Sequence, residues 1–136
     1  MEQNLKELLL KDLCARLPYK VKVCLCEKET CILMGIDGNE VYLDVDSDSF
    51  YVESIKPYLR PMSSMTEEEK GELKLEQEKD EELFIQVINK SQNGDDSLLG
   101  TVIPHYAEDW ANKNHFDYRG LIPMGLALEA LEGMYN

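Results

Sequence analysis

The chain predicts an α+β protein: a small four-stranded antiparallel meander with N-terminal and C-terminal helices. Three observations carry this reading. Leucines recur at helical spacing ahead of Pro18, apolar residues alternate with period two from 19 to 55, and a helix-start signature stands at Thr66–Glu69. At 136 residues the chain can bury one modest core. It is therefore read as a single domain, 1–136, with helix and sheet in 1–62, an acidic helix or linker in 63–92, and an aromatic-rich C-terminal segment packing back in 93–136.

Leu5, Leu8, Leu9, Asp12, Leu13 and Leu17 share one side of a helix over residues 3–16. Pro18 disfavours helical geometry at the residue before it and sets the stop. The strands that follow can be put in register by asking which pairing makes one face apolar. A four-residue loop at Glu27–Thr30 opposes Leu25 with Ile32, Val23 with Met34 and Val21 with Ile36. A two-residue loop at Gly38–Asn39, where both residues tolerate positive φ, opposes Ile36 with Val41, Met34 with Leu43 and Ile32 with Val45. A third loop at Asp46–Ser49 opposes Val45 with Phe50 and Leu43 with Val52. The other face then carries Lys20, Lys22, Cys24, Cys26, Cys31, Leu33, Glu40, Tyr42, Asp44, Tyr51 and Glu53, with Cys26 and Cys31 directly across from each other. A short bent ribbon of this kind, ending in a turn at 54–58, has the shape of an SH3-like or Sm-like partial barrel.

Downstream, Thr66 and Glu69 form a capping box in which each side chain can bond the other's amide, and Glu67 and Glu68 suit the positive end of the helix dipole. Leu73 and Leu75 are separated from Leu83, Phe84, Val87 and Ile88 by Glu76–Glu82, so the two ends are expected to be anchored and the middle to run through solvent. Asn89–Ser97 reads as a loop and Leu98–Ile103 as a strand or docked segment. Residues 105–114 read as a helix bearing Trp110, and Leu121–Tyr135 as a short helix or strand lying back on the core.

Fourteen basic against twenty-seven acidic residues give a net charge of −13, which repels nucleic-acid phosphates and anionic membranes. No direct nucleic-acid binding and no membrane association are expected, and the absence of a signal peptide or apolar span points to a cytoplasmic protein. The four cysteines, Cys14, Cys24, Cys26 and Cys31, lack paired zinc-ligand spacing and read as reduced structural thiols. Asp44-x-Asp46-x-Asp48 opens like a calcium loop, but Ser49 stands where glycine is needed and Ile55 where the bidentate glutamate belongs. His105 and His115 are not at metal-protease spacing, and no phosphate-binding glycine loop or nucleophile elbow occurs. No catalytic residue, metal or cofactor is therefore assigned.

The densest group of interaction-capable side chains is Trp110, His115, Phe116, Asp117, Tyr118 and Arg119, joined by Tyr58 and Arg60 between Pro57 and Pro61. Aromatic residues with arginine make interface hot spots, and they also close the cores of small domains. As candidate partner-binding residues they predict an exposed apolar patch beside Trp110 or Tyr58.

The strings Leu13-Cys14-Ala15-Arg16-Leu17-Pro18-Tyr19, Ile55 through Glu69, and His115-Phe116-Asp117-Tyr118-Arg119-Gly120-Leu121-Ile122 with Gly133-Met134-Tyr135 resemble a family of short uncharacterised proteins of Bacteroides-type gut bacteria and their prophages. The resemblance implies a bacterial or phage setting and an accessory role in a mobile element, and brings no activity with it. The function expected is a non-enzymatic protein–protein interaction module with an unknown protein partner, a second copy of the chain being one candidate. Two alternatives stand beside it: an acidic phage-type inhibitor imitating nucleic acid, and an enzyme or metal-binding protein built on the cysteines and His115.

Overall fold

The computed structural model describes residues 2–45, 48–76, 81–100 and 105–135. The chain forms two compact units, one of Met1–Leu59 with Leu121–Asn136 and one of Arg60–Gly120. Part of the Asp46–Ser49 loop, the middle of the acidic stretch at 77–80 and the end of the Leu98–Ile103 segment lie outside the described residues.

In the first unit, helix α1 spans Gln3–Arg16 and is followed by a 3₁₀ turn at Leu17–Tyr19 carrying Pro18. Strands β1 (Lys22–Leu25), β2 (Glu29–Asp37), β3 (Glu40–Leu43), β4 (Ser49–Tyr51), β5 (Ile55–Leu59) and β6 (Leu128–Glu129) form one sheet in the order β4-β3-β2-β1-β5-β6. Every pairing is antiparallel except β5 with β6. The α+β class holds. The four-stranded meander and the partial barrel do not, because the sheet is mixed, six-stranded and open. Of Ser54–Tyr58, expected as a turn, Ser54 ends a 3₁₀ turn and Ile55–Tyr58 lie in strand β5, which pairs with β1. Pro57 is tolerated there because the Cys26 amide bonds the Ser54 carbonyl at 2.9 Å. By alternation, this directs the backbone of residue 57 away from β1, so no ladder bond to β1 is lost.

The register of the first hairpin differs from the expected one. Lys22 faces Ile32, Val23 faces Cys31 and Leu25 faces Glu29, so the loop is Cys26–Lys28. Lys28 donates to the Leu25 carbonyl at 3.0 Å, with Cys26 and Glu27 at φ 51° and 62°. That is the backbone of a mirror-image turn, normally marked by Asn-Gly, and here it is written in residues that do not advertise it. The displacement is odd in number, so it exchanges the faces of β2: Cys31 and Leu33 are buried, and Cys26 and Cys31 are not opposed. All four cysteines are free thiols.

The second hairpin turns at Gly38–Asn39 as expected, with Gly38 at φ 62° and Ile36 opposite Val41. Leu43, however, meets Leu33 and not Met34, because a bulge lies between Leu33 and Gly35. The Asp44 amide bonds the Ile32 carbonyl at 3.2 Å, and the Asp44 carboxylate accepts the Ile32 amide at 2.8 Å, which fixes the strand on the far side of the bulge. Met34 is left 61% exposed. On β4, Phe50 faces Val41, not Val45, and Tyr51 faces Glu40. This shift is even in number, so Phe50 keeps its inward side and packs partly buried against the core, while Val45 is exposed.

The core of this unit joins Leu9 and Leu13 of α1 to Val21, Val23, Leu33, Val41, Leu43, Ile55 and Leu59, with Leu121 and Leu126. Each fully buried aliphatic side chain contributes roughly 1.5–3 kcal/mol. Asp12, on the same helical face, is fully buried and pairs with Arg16, also fully buried, at 2.8 Å. The last turn of the chain ties β1 to β5. Where β1 and β5 would form their next bonded pair, Lys22 with Tyr58, the Tyr135 hydroxyl stands between them. It accepts the Lys22 amide at 2.9 Å and donates to the Tyr58 carbonyl at 2.7 Å. The Lys22 ammonium in turn bonds the Met134 carbonyl at 2.6 Å.

The second unit contains a 3₁₀ turn at Met62–Ser64 and helices α2 (Glu67–Glu76), α3 (Glu81–Gln92) and α4 (His105–Lys113). Its core gathers Met62, Met65, Leu73, Val87, Ile88, Ala107, Trp110, Ala111, Phe116 and Tyr118. The capping box forms as expected, with the Thr66 amide on Glu69 Oε1 and the Glu69 amide on Thr66 Oγ1, both at 3.1 Å. Among the described residues no helix is long and apolar enough to cross a membrane.

Two predictions follow from the strand closures. Replacing Cys26 with Asn and Glu27 with Gly relieves two positive-φ side chains and should stabilise the unit by about 1 kcal/mol in urea titration. Burial pushes the Tyr135 phenol from 10 up to about 12, against the Lys22 backbone hydrogen bond and Arg16. The protonated hydroxyl is thus favoured by folding, and its contribution is complete below pH 10 and lost as pH rises towards 12. Tyr135→Phe should cost about 1–3 kcal/mol, speed hydrogen exchange at the Lys22 amide and flatten this alkaline loss.

Candidate functional site

In the second unit the aromatic and arginine residues singled out by sequence meet, and they do so by packing on one another. Arg60 bonds His115 and Asp117 through its backbone, amide to carbonyl at 2.7 Å and carbonyl to amide at 2.9 Å, forming a bridge alongside Phe116. Its guanidinium lies 4.1 Å from the Phe116 ring centre, and Phe116 stacks on Trp110 with centres 5.6 Å apart and planes at 11°. Both guanidinium nitrogens hold Glu69, at 2.6 and 2.7 Å. The fork thus satisfies the carboxylate that also closes the capping box of α2. Burial alone would raise the Glu69 carboxyl, but the bonds from Arg60 and Thr66 outweigh it and hold the group below its ordinary range.

Arg119 makes a second such arrangement. Its guanidinium lies over the Tyr118 ring, donates to the Tyr118 hydroxyl at 2.8 Å and to Glu108 at 3.2 Å, and that hydroxyl donates to Asn112 at 3.0 Å. Trp110, His115, Phe116, Asp117, Tyr118 and Arg119 are all buried. Each therefore has a structural use within its own unit. Arg60 retains partial exposure.

Tyr58 belongs to the other unit, on the outward side of β5. Its hydroxyl shares a hydrogen bond with the Cys24 thiol, which, together with burial, raises the phenol above its usual value while Thr30 pulls it down. Tyr58, Cys24, Cys26, Lys56, Glu27 and Glu53 border a cleft of about 480 Å³. Among the described residues no three His, Cys, Asp or Glu side chains converge as metal ligands would. Burial followed by the Asp44 and Glu29 charges raises the Cys31 thiol, so the thiolate a nucleophile requires is disfavoured there.

Three exposed apolar side chains, Met34, Tyr42 and Tyr51, lie instead on the outward face of β2, β3 and β4. Met34 stands out at the bulge, Tyr42 faces Gly35 across the β2–β3 pair, and Tyr51, 65% exposed, is the diagonal neighbour of Tyr42. A Cβ at Gly35 would lie 3.6 Å from the Tyr42 ring, an ordinary contact. The setting is acidic without relief: between Lys28 and Lys56 the sequence has seven carboxylates and no Lys or Arg. Sequence reasoning placed Tyr42 and Tyr51 outward but put Met34 in the core. The signals that could have found the patch were the glycine opposite a tyrosine and that unbroken run of acids.

Compared with family models, with curated proteins and with solved structures, the chain matches none.

The Arg60–Glu69 fork generates a test. Glu69→Gln keeps an acceptor for the capping box and loses the ion pair, whereas Glu69→Ala loses both. Denaturation followed through the single tryptophan should show Glu69→Ala destabilised by about 1–2 kcal/mol, and more than Glu69→Gln. Because folding lowers the Glu69 carboxyl, its contribution is complete above pH 4.5 and disappears as pH falls through the lowered value. Both variants should lose that acid-side dependence.

Proposed function

We propose that the protein is a non-enzymatic interaction module that binds a basic protein partner through the outward face of β2, β3 and β4. The observation that carries this reading is the coincidence of three exposed apolar side chains, Met34, Tyr42 and Tyr51, with a ribbon whose charged residues are all acidic. Exposed tyrosine supplies contact area at low entropic cost, and methionine is enriched with it at interfaces. The surrounding carboxylates steer a basic surface towards them and disfavour an acidic one, including a second copy of the chain. The resemblance to short proteins of gut bacteria and prophages supports placing such a module in a mobile element of a bacterial cytoplasm.

The experiment is capture from a bacterial lysate with the intact protein, beside Tyr51→Ser and the double variant Met34→Ser with Tyr51→Ser. A partner of basic composition should be retained by the native chain and reduced at least roughly tenfold by the double variant, as expected of lost hot-spot contacts. The melting curve should stay unchanged because both side chains are exposed. Capture that ignores both substitutions, or an acidic partner, contradicts the proposal.

A further inference from the structure

We infer that the partner presents a short extended segment carrying arginine or lysine among apolar residues, with one basic side chain entering a groove beside β2. The inference rests on the reading that this face binds protein, and it specifies the occupant. The groove measures about 450 Å³ and lies between the Lys22–Ile32 pair, Asp44 and the C-terminal strap at Leu131–Met134. Two carboxylates, Asp44 and Glu132, border it. Its one ammonium, Lys22, is already engaged, 2.6 Å from the Met134 carbonyl and 5.7 Å from the centre of the Tyr135 ring. The groove therefore presents net negative charge around a mouth flanked by the exposed side chain of Leu131.

Geometry favours an extended occupant. The groove reaches Ile32 on β2, two residues from Met34, where the exposed row through Tyr42 and Tyr51 begins. In a strand-like segment alternate side chains point to opposite sides, so one set can serve the apolar row while a long basic side chain reaches down into the groove. Arginine suits it best, because its planar donors can satisfy a carboxylate and its plane can lie on a tyrosine ring. The complex should be salt-sensitive, since the carboxylates involved are exposed.

The test is fluorescence polarisation with the whole protein and two labelled synthetic decapeptides, one alternating arginine with leucine, the other with glutamate in place of arginine. The basic peptide should bind, weaken roughly tenfold between low and high salt, lose affinity several-fold with Glu132→Gln and more with Tyr51→Ser. The acidic peptide should not bind. Glu72→Gln, an exposed carboxylate on α2 of the other unit, should leave binding unchanged. The inference is overturned if the basic peptide fails to bind, or if Glu72→Gln weakens it as much as Glu132→Gln, which would mark diffuse attraction to a chain of charge −13. Should a folded partner still be captured in a Tyr51-dependent way while the peptide fails, only the extended segment is refuted. Loss of Tyr51 dependence in both assays removes the interaction face itself.

Discussion

One extra residue in β2 decides which side chains of the ribbon meet the core. On the hairpin side of the bulge, Ile36 follows the alternation set by the Gly38–Asn39 turn; beyond it, Leu33 and Cys31 occupy the inward side that Met34 and Ile32 would otherwise fill. The bulge is held from both directions. Leu33 donates to the Val21 carbonyl at 3.1 Å, and Asp44 grips Ile32 with its amide and its carboxylate. Without that register, Leu33 would face water and Met34 would face the core. The exposed row that gives the ribbon its proposed use therefore follows from the same constraint that completes the core.

Buried polar groups then determine how the elements around the ribbon are held. Asp12 and Arg16 lie one helical turn apart, both without solvent exposure. Such a pair adds little net stability, but losing one partner costs several kcal/mol because the other is stranded. Tyr135 performs a similar service at the other end, replacing a missing rung between β1 and β5 with one hydroxyl. In the second unit the guanidinium of Arg60 does three things at once, forking Glu69, covering Phe116 and so backing Trp110. In the second unit, the aromatic and arginine side chains singled out in the sequence pack on one another.

Much of the local structure was legible. Helix α1 ends at Arg16 as expected, although Leu17 keeps helical dihedrals and Pro18 lies within a 3₁₀ turn. The Gly38–Asn39 hairpin forms, and the Thr66–Glu69 box starts α2, since each depends on residues a few positions apart. What failed depends on information the local pattern does not hold. The turn at Cys26–Glu27 uses positive φ without glycine or asparagine, so apolar matching chose a register three residues away. Strand β5 was hidden by Pro57, whose missing donor matters only on one side. Asp12 was placed on the leucine side of α1, but the sequence did not show that Arg16 is its buried partner. For the candidate site, the aromatic–arginine cluster was visible as a group, but whether it faced a partner or its own core needed coordinates. The Met34 patch was invisible because it exists only through the bulge.

The most direct check of this account is a paramagnetic-probe experiment on the methyl resonances of the free protein. A soluble relaxation agent should broaden the Met34 methyl strongly while the methyls of Leu33, Val23 and Leu43 stay sharp. A protected Met34 beside a broadened Leu33 would show the unbulged register, and the interaction face would have no basis.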